Sequence, residues 1–122
     1  MNRLIAAGAA GYAGIGVVAF LRPEMVPALF GGTAHTADAR TEIRAVYGGL
    51  PLAIAGSLVA APSTAVTMGV LSAGMAAGRA ASGLVEDEPP SPIIKAFIGI
   101  EVALAAALLM GGRRHLRARS RE

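Results

Sequence analysis

No cysteine occurs anywhere in the 122 residues, and tryptophan is missing as well. The first absence excludes disulfides, thiol nucleophiles and cysteine-held metals, and it leaves the redox compartment open. Aromatic residues are down to three Phe and two Tyr. Charge is scarce too: Asp, Glu, Lys and Arg make up 16% of the chain, where a soluble domain carries about a quarter. The deficit is concentrated, because long windows hold no charge at all. What fills them is apolar or small, with 54% hydrophobic residues and 16 glycines. The length is that of one domain. A net charge of +3 could point to nucleic acid, but five arginines (Arg113, Arg114, Arg117, Arg119, Arg121) crowd the last ten residues beside an apolar helix. Membrane orientation accounts for them there, so no nucleic acid partner is expected.

Four apolar windows predict an all-α chain, a transmembrane four-helix bundle with spans at about 4–21, 44–61, 65–84 and 93–112. The first window is 18 residues, roughly 27 Å as a helix, close to the hydrocarbon thickness. It is long for a signal sequence, and Arg22 and Glu24 stand where a small-residue cleavage site would lie, so it reads as a retained span. Residues 22–42 are the longest polar connection. Pro23 and Glu24 suit a helix start, and Met25 to Phe30, closed by Gly31-Gly32, predicts a short interfacial helix between spans one and two. Gly31 to Arg40 reads as a polar loop in which His35 is solvated. Pro62 ends the second span, and Ser63 or Thr64 is the expected N-cap of the third. Glu86-Asp87-Glu88-Pro89-Pro90-Ser91-Pro92 is an acidic loop that cannot continue a helix. Its three adjacent acids lack the alternating spacing of a calcium site. Residues 113–122 form a basic cytoplasmic tail.

Small residues repeat along two of the spans. Gly74, Gly78 and Ser82 share one face of the third, with Met68, Ser72, Met75 and Arg79 on another. Gly99, Ala103, Ala107 and Gly111 line the fourth. Such stripes let helices approach closely in lipid. They pack within the bundle or receive a membrane-protein partner or a second copy.

The candidate site is built from charge in the wrong solvent. Arg79 and Glu101 interrupt apolar runs, and Arg44 stands at the mouth of the second one, in Glu42-Ile-Arg-Ala-Val-Tyr-Gly-Gly. Arg44, Tyr47 and Pro51 fall on one helical face. A charge inside a bilayer costs about 2.5–3.5 kcal/mol even on lenient scales, so such groups converge. Arg44, Tyr47, Arg79, Glu101 and Glu42 are therefore read as one cluster, structural or ligand-binding. Two arginines facing one carboxylate leave an excess of positive charge, to be met by Glu42, water or an anionic ligand. Neither His lies near this cluster in the sequence, no metal-ligand set is present, and no cofactor is implied; catalysis has no support in the residues.

The pattern Glu42-x-Arg44-Ala45-x-Tyr47-Gly48-Gly49, then Gly78-Arg79, then Glu101 within the last span, resembles a family of small bacterial four-helix membrane proteins of unknown function. Arg22-Pro23-Glu24 followed by Phe30-Gly31 fits the same pattern. In outline that family is similar to DoxX-like membrane proteins. The resemblance implies a multi-pass protein of the bacterial cytoplasmic (inner) membrane and supplies no activity. The arginine-rich tail places both termini in the cytoplasm, beside membrane lipids whose anionic headgroups it would attract. Three roles remain open, in this order: an accessory or scaffolding subunit of a larger membrane assembly; a binder of a small lipid, quinone or anionic metabolite in an outer-leaflet pocket; and a proton or solute transporter with Glu101 as the titrating group.

Overall fold

The computed structural model describes residues 1–121. Glu122, the last residue of the expected tail, lies outside them. The fold is all-α, 82% helical, with no strand among the described residues. Helix α1 runs Arg3–Leu21, α2 Met25–Ala28, α3 Ala37–Ile43, α4 Leu50–Ala60, α5 Ala65–Val85 and α6 Pro92–Arg119. A π-helical segment, Arg44–Gly49, joins α3 to α4, and a 3-10 turn, Pro62–Thr64, joins α4 to α5.

Three helical stretches are long and apolar enough to cross a membrane: Arg3–Leu21, Ala37–Ala60 and Pro92–Arg119. The expected third span, now α5, is not among them. Its 21 residues suffice in length, but Thr67, Ser72, Ser82, Arg79 and four glycines dilute its apolar character. Two further expectations need revision. The stretch read as loop up to Arg40 already turns helical at Ala37, because Thr36 accepts a hydrogen bond from the Ala39 amide at 3.1 Å and Asp38 sits in the first turn. Thr64 does not cap α5. It has helical backbone angles, from which an N-cap side chain cannot reach back, and its hydroxyl donates instead to the Ala61 carbonyl at 2.8 Å. Ala61 itself leaves helical geometry just before Pro62, as the proline demands.

The π segment has a covalent cause. Pro51 carries no N–H, so the Tyr47 carbonyl cannot receive an ordinary helical bond from it, and the ring crowds that carbonyl. The chain widens by one residue, and the Leu50 amide bonds five residues back to Ala45. The widened turn lies against the far end of α1: a Cβ on Gly48 would stand 3.1 Å from the Phe20 Cβ, and one on Gly16 would stand 2.9 Å from the Gly48 carbonyl.

Close glycine contacts set the rest of the packing. A Cβ on Gly8 would fall 2.9 Å from the Cγ of the fully buried Leu108, so α1 and α6 meet there with nothing to yield. Gly69 meets Leu109, and Gly112 meets Val66, which runs α5 and α6 antiparallel. Ile5, Tyr12, Ile54, Leu58, Ala65 and Leu108 form the shared core. Asn2 bolts the termini together: its Oδ1 accepts from the Ile5 amide at 3.1 Å while its Nδ2 donates to the Gly111 carbonyl at 2.8 Å. The small-residue stripe of α6 is packed at one end only. Gly111 packs on Asn2, Leu4 and Ile5, whereas Gly99 has nothing within 4 Å and Ala103 is exposed. Gly74 and Gly78 are also open.

Candidate functional site

At the end of α5 and α6 nearest the 86–91 loop, the apolar interior is broken by one ion pair. Arg79 Nε donates to Glu101 Oε1 at 2.9 Å, with side-chain exposures of 26% and 7%. Antiparallel α5 and α6 bring them level, because each lies partway along its helix from the connecting loop. The contact uses one guanidinium nitrogen only. The Nη donors have no hydrogen-bond acceptor among the described residues. Above the guanidinium, Phe97 and Phe30 place their ring centres 5.2 and 5.7 Å from its central carbon, with the rings 5.3 Å apart and tilted by 48°. Both lie within cation–π range. Phe97 is one helical turn before Glu101, so α6 presents both; Phe30 comes from the α1–α3 connection, just past α2.

Glu101 Oε2 is the exception in this interior. Among the described residues it is the one buried side-chain nitrogen or oxygen with no hydrogen-bond partner. A buried carboxylate normally has both oxygens satisfied, and leaving one bare forfeits a charge-assisted bond. An open cleft of about 260 Å³ reaches Arg79 from the surface, lined also by Glu86, Glu88, Pro89, Pro90 and Ile94.

The other residues expected in the cluster lie elsewhere. Arg44 Nε donates to the Phe20 carbonyl at 3.0 Å. That carbonyl belongs to the last turn of α1, where orphaned oxygens and the helix dipole both favour a cation. Tyr47 and Glu42 are exposed on the same stretch, and neither makes a side-chain hydrogen bond among the described residues. The structure thus brings Arg79 and Glu101 together, and it gives Arg44 a separate partner. His35 is exposed in its loop.

Tyr12 and Ser72 escaped the sequence reading as a pair. Ser72 Oγ donates to the Met68 carbonyl at 2.8 Å, so its only hydrogen is committed and the buried Tyr12 hydroxyl donates to it. This bond ties α1 to α5 on the face that carries Arg79 two turns later. Two signals were available: Tyr12 is the lone polar side chain of its apolar run, and Ser72 stands seven residues before Arg79.

A family model described as Domain of unknown function (DUF4345) matches residues 1–111. A family of unknown function is what the motif pattern implied; the match carries neither a DoxX likeness nor a bacterial origin. No curated protein and no solved structure matches the chain.

Proposed function

The chain belongs to the DUF4345 family, whose function is unknown, and on that premise we propose that it is a four-span membrane protein that binds a small ligand at the Arg79–Glu101 pair. The observation that carries this reading is Glu101 Oε2, buried and unpartnered beside a guanidinium that still has open donors. A bidentate arginine pair would engage both carboxylate oxygens; this one engages a single oxygen.

The membrane placement follows from the same pair. Arg79 is what most lowers the hydropathy of α5, yet its charge is compensated by Glu101, so α5 inserts as the third of four spans and α2 lies at the interface. Basic residues are unevenly divided between the ends. Arg3 and the arginines from Arg113 onward share one end without a neighbouring acid up to Arg121, while Arg22, Arg40, Arg44 and Lys95 at the other stand among Glu24, Asp38, Glu42 and the Glu86–Glu88 acids. The basic end is the cytoplasmic one, and the ligand site opens toward the outer leaflet. Purified protein should release a stoichiometric small molecule on denaturation, and Arg79→Met should purify without it. Preparations that release nothing from the wild type in mild detergent or in native-membrane particles would overturn the reading.

One observation favours a second role, as an accessory subunit. Gly74, Gly78 and Gly99 have open space where a Cβ would stand, which is how a helix face prepared for another helix looks in lipid. Under that role Ala103→Leu abolishes a co-purifying assembly and leaves the stability of the single chain unchanged.

A further inference from the structure

A second hollow lies at the end of the molecule away from Arg79. A groove of about 480 Å³ runs between α1 and α4 from Met1 inward, a volume within the range of small-ligand sites, roughly 300–1,000 Å³. Every residue lining it is apolar, with Ala6, Ala10 and Ala13 on one wall and Gly56, Val59 and Ala60 on the other. A Cβ on Gly56 would meet nothing within 4 Å. Walls of this kind offer water or a polar ligand no hydrogen bond, and an apolar chain gains contacts by filling them. What stands at the mouth selects the head of that chain. Arg3 lies on the face of α1 that carries Ala6, Ala10 and Ala13, one turn nearer the start of the helix. Its guanidinium has no salt-bridge or hydrogen-bond partner among the described residues. Arg113 and Arg114 are unpaired in the same sense, and the Asn2–Gly111 bond sets them at the same end, where no acid stands up to Arg121. We propose that this groove holds an acyl chain of an anionic phospholipid from the leaflet on the basic side, with its phosphate on Arg3. The proposal rests on the membrane placement above and is independent of the Arg79–Glu101 ligand. Basic pockets between spans are what hold anionic headgroups on the cytoplasmic side. A zwitterionic lipid would fill the groove equally well but would bring a cation to Arg3 along with its phosphate. A second copy of the chain, inserted the same way up, would bring its own arginines to an end with no acid to meet them.

The test places the full chain in nanodiscs of phosphatidylcholine with a minor share of phosphatidylglycerol. The chain is then extracted in mild detergent and its retained lipids are identified by native mass spectrometry. A single phosphatidylglycerol should stay with each chain, enriched several-fold over its share of the disc. Gly56→Leu fills the groove from a position that has room for it, and it should abolish retention while leaving helix content unchanged. If that variant does not fold, Ala10→Leu fills the groove from the exposed side of α1. Arg3→Gln should keep a retained lipid and lose the preference, holding the two phospholipids in proportion to the disc. Enrichment that survives either the groove-filling variant or Arg3→Gln overturns the site, since it then belongs to the arginines of α6. A second copy retained in place of lipid, and lost in Gly56→Leu, overturns the lipid in favour of a dimer. Discs that take up the chain but yield no enriched lipid overturn the inference and leave the membrane placement standing. A chain that stays outside the discs overturns both.

Discussion

At the scale of single residues, the two members of the ion pair are unequal. Glu101 is nearly enclosed and Arg79 is about a quarter exposed. Removing one partner of a buried pair costs about 3–5 kcal/mol, because the survivor is a buried charge with nothing to answer it, and removing both costs less. The more enclosed survivor fares worse. Arg79→Met should therefore destabilise more than Glu101→Gln, with the double variant recovering much of the larger loss. Unfolding equilibria of the four proteins in one detergent check this. Additive losses would show that the pair is not coupled. That these two side chains meet was legible in the sequence, since each is a charge within an apolar run and has few alternatives there. The place of Arg44 was not. A carbonyl in the last turn of α1 also attracts a cation, and no residue type marks a backbone oxygen. The same limit hid Asn2, whose amide finds the Gly111 carbonyl. Arg44→Ala should accordingly cost about 0.5–1.5 kcal/mol of stability, the net worth of a typical hydrogen bond, and leave ligand release on denaturation as in the wild type.

Among the elements, the helices themselves were readable from apolar runs and proline breaks, and the irregular pieces were not. The start of α3 depends on a threonine cap that competes with a loop of similar composition. The π segment depends on Pro51, which reads equally as a kink, a break or a widened turn until its neighbours are known. Glycine positions carried the contrast between buried and open faces, which no single sequence separates. Gly8 and Gly14 lie on the same helix, α1, yet a Cβ at the first would overlap the fully buried Leu108 and at the second would meet nothing within 4 Å. Gly8→Ala should destabilise by about 1–3 kcal/mol, the usual cost of overpacking. Gly14→Ala should be neutral or stabilise by up to about 1 kcal/mol, since alanine is the better helix former. Denaturant titration of both variants settles the comparison, and equal losses would mean that α1 does not contact α6 at Gly8.

The molecule as a whole is polarised. Asn2 and Gly111 sit level at one end, and α6 continues past them through the arginines to Arg119. At 28 residues α6 is roughly 42 Å long, against a hydrocarbon core of about 30 Å, so an α6 crossing upright would leave about two turns clear of it. Those turns are the ones that hold Arg113, Arg114, Arg117 and Arg119. The segment expected as a basic tail is thus helical as far as Arg119, which holds its charges at fixed spacing from the apolar part of α6. The opposite end carries the acids of the 86–91 loop and the start of α3. If the helical stretches Arg3–Leu21, Ala37–Ala60 and Pro92–Arg119 span, α5 must span as well. An odd number of crossings would put Asn2 and Gly111 on opposite sides, and they share a hydrogen bond. The absence of cysteine makes the consequence measurable without a background. Single substitutions His35→Cys, Asp87→Cys and Ala118→Cys all fall at exposed positions. In sealed, right-side-out vesicles an impermeant maleimide should label the first two and spare the third until the membrane is opened. Labelling of Asp87→Cys and Ala118→Cys from one side would place α6 along the surface and remove the fourth span. Labelling of the Ala118→Cys variant alone would keep four spans and invert them, turning the Arg79 cleft toward the cytoplasm.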